Sequence, residues 1–163
     1  MDDGFARYVA ERHDRLCRMA YLLTRDWATA EDLVQTALAR AWLAWRRVRG
    51  NPDPYVYRII VNTHSSWWRR RWRGEIPTAD LPESAGPGDA VHELAERDAL
   101  WRAVGGLSPR QRAVIVLHYY EGLPLAQAAD VLGCSLGAVK SQLNRALTRL
   151  RVHPEVRLSG ARR

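Results

Sequence analysis

The chain has 163 residues, 47 % apolar and 26 % charged, with a formal net charge of +7 at pH 7. That is one domain's worth of chain or two small ones, with enough apolar residues for packed cores, so disorder throughout is excluded. No apolar run approaches the roughly 18–20 residues needed to cross a bilayer, and Cys17 and Cys134 stand far apart with no CxxC or Cys/His cluster, which excludes a disulfide scaffold and structural zinc.

The opening Met1-Asp2-Asp3 has no basic-then-apolar signal pattern, so a reduced cytoplasmic location is expected. The chain is rich in Ala, Leu and Arg and shows no sustained period-2 alternation, which predicts an all-α fold. A first helix is expected from Asp3 to Leu23, with Phe5, Val9, Leu16, Met19, Ala20 and Leu23 mostly at three- and four-residue steps. Thr29-Ala30-Glu31-Asp32 has the Thr-x-x-acid form of a helix start. The helix after it carries Leu33, Ala37, Ala41 and Trp45 at i+4 steps, with Val34, Leu38 and Trp42 beside them: an apolar face wider than one core needs. Gly50-Asn51-Pro52 ends that segment, and Asp53-Pro54 reads as N-cap plus first-turn proline. Val56, Ile59, Ile60, Thr63 and Trp67 form the inner stripe of a third helix, with Arg58, Asn62, Ser66 and Arg69 on or near its other side.

Residues 75–89 read as a linker, because Gly-Pro-Gly at 86–88 cannot continue a helix. If flexible, about 15 residues give an end-to-end distance of roughly 20 Å. An amphipathic helix is expected over 90–104, closed by Gly105-Gly106. Ser108-Pro109-Arg110-Gln111 combines an N-cap, a first-turn proline and a capping-box Gln, and starts a helix that runs to Gly122. A short helix with Leu125, Ala128, Ala129 and Leu132 ends at Gly133; Cys134-Ser135 makes a turn, with Ser135 as N-cap. The last helix turns Val139, Leu143, Ala146, Leu147 and Leu150 inward and stops at Pro154.

Charge divides the chain in the same way. Residues 1–74 carry net +6, residues 75–96 carry −6 with no cation, and residues 97–163 carry +7. Of the 25 cations only Lys140 is not arginine. Two basic blocks around an acidic one favour a polyanionic partner; a solvated charged surface is the bland alternative.

Two segments carry recognisable chemistry. Pro124 to Arg151 is a short helix, a Gly turn and a longer helix with cations outward, the helix-turn-helix arrangement. Lys140, Ser141, Asn144 and Arg145 lie opposite its apolar stripe, where Lys and Arg can bond guanine and Asn adenine. An ordinary helical hairpin with a solvated cationic face is the competing reading. The second segment is Trp67-Trp68-Arg69-Arg70-Arg71-Trp72-Arg73, whose arginines can neutralise phosphates while its tryptophans stack on unpaired bases. A membrane-surface helix or a charged helix end competes there, with Trp67 in the core.

Catalytic constellations are missing. His92-Glu93-Leu94-Ala95-Glu96 begins like a zinc-binding HExxH helix but ends in Glu. There is no GxxxxGK[ST], GxGxxG or GxSxG. Neither an enzyme nor a cofactor, metal or small-molecule substrate is expected.

Four ordered stretches carry a resemblance. Residues 30–42, AEDLVQTALARAW, resemble the core-polymerase-binding helix of bacterial sigma factors. Tyr57-Arg58-Ile59-Ile60-Val61-Asn62-Thr63 with the Trp/Arg run resembles their −10 promoter-reading helix. Residues 107–112 and 119–123, LSPRQR and YYEGL, resemble the start of their C-terminal domain. Residues 132–141, LGCSLGAVKS, resemble its −35 helix-turn-helix. With nearly the whole chain covered in order, the sequence is similar to the extracytoplasmic-function (ECF) group of the sigma-70 family.

The resemblance implies two small helical domains, a sigma domain 2 bundle over 1–74 and a sigma domain 4 over 90–153, joined by the acidic linker and followed by a basic tail over 154–163. It implies binding to core RNA polymerase through Asp32, Leu33, Gln35 and Trp42. It implies −10 contacts from Arg58, Asn62, Trp68, Arg69, Arg70, Arg71 and Arg73, with Asn62 reading an unstacked base. It implies −35 contacts from Lys140, Ser141, Asn144 and Arg145. Promoter DNA and core polymerase are then the partners, an anti-sigma factor a further one, and a membrane none. Thr36 departs from a common Glu, which bears on the clamp contacts, and Pro124 replaces a capping Ser or Thr at a first-turn position where proline is tolerated. Gln142 and Asn144 replace larger or basic residues, so the −35 preference does not carry over. A stand-alone helix-turn-helix regulator and a membrane-surface adaptor are the other readings.

Overall fold

The computed structural model describes residues 3–72 and 98–152, and every regular element among them is helical. The linker, the first eight residues of the helix expected over 90–104, Arg73, Pro154 and the tail lie outside the described residues. The chain divides into an N-terminal and a C-terminal compact unit.

In the N-terminal unit, α1 spans Asp3–Thr24 and buries Tyr8, Leu16, Met19, Ala20 and Leu23. It closes at Arg25, whose φ of 62° is left-handed; its N–H donates to the Tyr21 carbonyl at 2.7 Å. Asp26 then adopts an extended conformation and caps α2, Trp27–Ala44. Its carboxylate accepts from the Thr29 N–H at 2.8 Å and the Thr29 hydroxyl at 2.6 Å. The helix therefore begins before the expected Thr29 cap. Thr29 sits inside the first turn as the donor, and Asp26 takes the orphan N–H.

The wide apolar face of α2 is filled more completely than expected. Leu33, Val34, Ala37 and Ala41 are wholly buried and Leu38 nearly so, because α2 packs against α1 on one flank and α3 on the other. An aromatic cluster closes the end: Phe5 lies 5.0 Å from Trp42 and 5.1 Å from Trp45, and Tyr8 lies 5.1 Å from Trp45. A 3-10 turn over Trp45–Arg47 leads to Gly50.

Helix α3 spans Asp53–Trp72 and buries Val56, Tyr57, Ile60, Val61, Thr63 and His64. Asp53 is not its N-cap. The Pro52 carbonyl accepts the first helical bond, from Val56 at 3.0 Å, and Asn51 Oδ1 accepts the Asp53 N–H at 3.1 Å. The buried Asp53 carboxylate instead accepts from the Tyr8 hydroxyl at 2.8 Å and pairs with Arg12 at 3.0 Å. Burial, then this bond and the nearby charge of Asp53, push the Tyr8 hydroxyl well above its usual ionisation range.

In the C-terminal unit, α4 spans Asp98–Gly105, and α5 spans Pro109–Ile115 behind the expected Ser108/Gln111 capping box. A π-helical turn continues α5 over Val116–Tyr120, with Glu121 N–H bonded to the Val116 carbonyl at 3.0 Å. Helices α6, Leu125–Leu132, and α7, Leu136–Val152, complete the unit. Ala103, Leu107, Ala146 and Leu150 form a core cluster, with Val104 and Ile115 packed on it.

Cys17 is buried, with its sulfur 3.7 Å from His13 Nε2. Burial first, then Glu31 and Asp14, push its thiol up to about 11. The folded chain therefore holds this proton at pH values where the unfolded chain has lost it. Stability of the N-terminal unit should fall as pH rises from about 9 to about 11. Urea midpoints at pH 8 and 10.5 test this: Cys17→Ala should lose part of the slope, and an unchanged slope would clear Cys17 of it.

Candidate nucleic-acid and polymerase interfaces

The helix-turn-helix is built by two short-range devices. Gly133 takes φ 66°, its N–H bonds the Asp130 carbonyl at 3.3 Å, and the Cys134 N–H bonds the Ala129 carbonyl at 3.1 Å. That double closure needs a left-handed residue, which glycine adopts without a Cβ penalty. Ser135 then accepts the Ala138 N–H at 3.1 Å and starts α7. Val139, Leu143, Ala146 and Leu150 point inward. By the 3.6-residue period, Lys140, Ser141, Asn144 and Arg145 share the opposite face near the N-terminal end of α7, and all four are exposed. The helix contains four cations and no acid. Arg149 is not part of that face: its Nη1 donates to Gln111 Oε1 at 3.2 Å and ties α7 to α5.

On α3 the expected residues separate. Arg58, Asn62 and Arg69 are exposed and fall on one stripe, with the half-buried Ser66 and the exposed Arg70 on its flank. Trp68 and Arg71 are exposed but lie round the helix from that stripe, and Trp67 is half-buried. No acid follows Asp53 in α3, and its last turn holds Arg69, Arg70 and Arg71, which complements the negative end of the helix dipole.

On α2, Asp32 and Gln35 are exposed and Trp42 is 42 % exposed. Leu33 does not join them. It is 0 % exposed, packed in the three-helix core, and has no surface to offer a partner. The sequence pattern does not single out Leu43, which at 85 % exposure is the most open large apolar side chain on this helix. Its signal was an apolar residue off the i+4 stripe. Ala39, Trp42 and Leu43 leave an apolar patch at the C-terminal half of α2, beside the exposed Arg46.

Residues 8–74 match the description Sigma-70 region 2, and residues 97–150 match Sigma-70, region 4. An RNA polymerase sigma-E factor of Streptomyces coelicolor is 43 % identical over 149 residues, covering 90 % of this chain and 84 % of the relative. The ECF RNA polymerase sigma factor SigL of Mycobacterium tuberculosis is 35 % identical over 144 residues, covering 84 % of this chain and 81 % of that one. The chain belongs to the ECF subgroup of the sigma-70 family. Among solved structures, the sigma factor RpoE of Bartonella quintana, crystallised with the anti-sigma factor NepR, superposes with a TM-score of 0.75 at 28 % identity, covering 91 % of this chain and 94 % of that one. This sigma factor thus pairs a region 2 unit with a region 4 unit, in the order the sequence motifs stand. Among the described residues no helix is long and apolar enough to cross a membrane, and no group of three or more His, Cys, Asp or Glu could hold a metal.

Proposed function

We propose that this sigma factor binds core RNA polymerase through α2 and reads promoter DNA with α3 and α7. The sigma-70 match in both units carries this reading; a stand-alone helix-turn-helix regulator would leave the region 2 unit without a role. The proposed domains are 1–74 and 90–153, joined by 75–89. Work with polymerase implies a cytoplasmic, non-catalytic protein.

The polymerase contact is assigned to Asp32, Gln35 and Trp42 with Leu43, a mixed polar and apolar face. The −10 strand is assigned to Arg58, Asn62, Arg69 and Arg70, with Arg71, Arg73 and Trp68 beside it. Asn62 offers an amide that pairs with a base edge, and capture of an extruded base offsets the few kcal/mol of unpairing. Lys140, Ser141, Asn144 and Arg145 are assigned to the −35 duplex. An anti-sigma factor is a further expected partner, since the RpoE relative is crystallised with one.

Transcription from fragmented host DNA by host core polymerase, with and without this protein, tests the whole reading. Discrete protein-dependent 5′ ends sharing two spaced upstream elements are expected; no new starts together with no core binding would overturn it. Two substitutions then test individual assignments. Arg145→Ala should cost about 1–3 kcal/mol at one −35 position if its contact is bidentate to a base; equal weakening on every sequence would make it a phosphate contact. Asn62→Ala should reduce open-complex formation by roughly 10-fold or more, equivalent to about 1.4 kcal/mol or above, and relax selection at one −10 base. Permanganate footprinting and a base-substitution series read this out, and unchanged −10 preference would remove Asn62 from the reading set.

A further inference from the structure

We infer that Arg40 is a phosphate contact for the single strand read by α3, pre-set by a bond to Thr63. The inference rests on the promoter-reading role of α3 and adds a residue that lies on a different helix. Arg40 is exposed on the flank of α2 that packs against α3. Its Nη1 donates to the Thr63 hydroxyl at 2.9 Å, and Thr63 is buried. No carboxylate among the described residues pairs with it.

The combination is unlike an ordinary solvated surface arginine. A surface cation paired with an acid spends its charge within the protein, as Arg12 does against Asp53. Arg40 is pinned by a neutral hydroxyl, and no acid among the described residues offsets its charge. The guanidinium fork has five N–H donors, and the Thr63 bond uses one of them. The rotamer freedom that an arginine loses on gripping a phosphate is already reduced in the folded protein.

The location matches a strand-tracking role. Thr63 follows Asn62 in the chain and lies two turns before Arg70, about 10 Å along the helix axis. Arg40 thus stands at the edge of α3 that carries Asn62, Ser66 and Arg70. Two cations along one edge, with a base-reading amide next to the first of them, can follow a backbone while a base is held.

The test uses the full chain bound to core polymerase. The probe is a fluorescein-labelled single-stranded oligonucleotide with the non-template −10 sequence of a mapped start. Salt dependence separates a phosphate contact from a structural one, because each neutralised phosphate contributes about 0.7 to the slope of log K against log salt. Arg40→Gln should lower that slope by about 0.7 and weaken binding alike on all sequences. Arg40→Lys should retain the slope. Thr63→Val keeps the cation and removes its anchor, so it should retain the slope while weakening binding.

If Arg40→Gln lowers the melting temperature but leaves the slope at the wild-type value, Arg40 is only a tie between α2 and α3 and the inference is overturned. A loss of core binding with an unchanged DNA slope would overturn it too, placing Arg40 on a polymerase protein surface. Failure of the wild-type complex to bind the strand at all would sink the role of α3 itself. A slope change specific to Arg40→Gln establishes the contact.

Discussion

Replacing Arg112 with methionine is expected to destabilise the C-terminal unit by about 2–4 kcal/mol. Arg112 sits on α5 at 5 % exposure and reaches back to the end of α4. Its Nε donates to the Val104 carbonyl at 3.3 Å, and its Nη2 donates to the Gly105 and Leu107 carbonyls, both at 3.1 Å. The last carbonyls of a helix have no partner within it, and the partial negative charge there favours a cation. One side chain thus serves three acceptors around the Gly105-Gly106 turn, one of which, the Val104 carbonyl, also accepts the Leu107 N–H at 3.1 Å. Methionine has a similar unbranched shape and no donor, so it isolates the loss of hydrogen bonds from the loss of packing. Hydrogen bonds to a charged group contribute roughly 1.5–3 kcal/mol each, but three on one group are not additive, and water entering the turn recovers part of the loss. For a unit this small each kcal/mol moves the melting point by about 4–8 °C, so a far-UV melt should shift well beyond error. Arg112→Lys should fall between, because an ammonium keeps the charge without the planar fork. A methionine variant that melts with the wild type would show that water already serves these carbonyls.

That arginine marks the limit of what could be read in advance. Residue patterns place cations on the surface by default, and the three carbonyls that Arg112 bonds have no sequence signature. Where both partners lie within a few residues, the fold was legible: the Ser108/Gln111 box forms in both directions, at 3.2 Å each way, and Ser135 starts α7. The sequence pattern puts the cap of α2 at Thr29, because Thr29-x-x-Asp32 has a capping form. The left-handed turn at Arg25 and the extended Asp26 move it three residues earlier. Periodicity located the apolar side of α2 but not the number of helices it meets. Flanked by α1 and α3, the helix buries Leu33 outright and leaves the edge of the face open at Trp42, with the exposed Leu43 lying off that face. The outward residues of α7 were legible for a simple reason: they stand opposite a stripe of buried apolar residues on a helix with no acid. The π-helical turn at Val116–Tyr120 was not, since one extra residue in a helical turn changes no pattern of residue types.

Asp53→Ala should cost the N-terminal unit about 2–3 kcal/mol, and the distribution of that loss is the informative part. The carboxylate has two partners of unequal weight. Tyr8 is buried, so its hydroxyl loses water as well as its acceptor if Asp53 is removed. Arg12 keeps 38 % of its side-chain surface exposed, and solvent screens its ion pair and rehydrates it when the partner is gone. The expected order of destabilisation is therefore Asp53→Ala, then Tyr8→Phe at about 1–2 kcal/mol, then Arg12→Ala below about 1 kcal/mol. A double-mutant cycle on Tyr8 and Asp53 should return a coupling of about 1 kcal/mol or more, as expected for residues in direct contact. Urea melts of the wild type, the three single variants and the Tyr8/Asp53 double variant give all of these values, and an Arg12→Ala loss larger than that of Tyr8→Phe would reverse the assignment. The loss also propagates to the reading surface. Tyr8 and Arg12 belong to α1, and Asp53 is the first residue of α3, so this clamp fixes the direction in which α3 leaves its turn. Arg58 and Asn62 follow within the next three turns on the same rigid element. Loosening its first turn should weaken binding of a −10 strand although Asp53 is buried and touches no DNA. Asp53→Asn retains an acceptor for Tyr8 and should preserve more of that binding than Asp53→Ala, which separates placement of the helix from its charge.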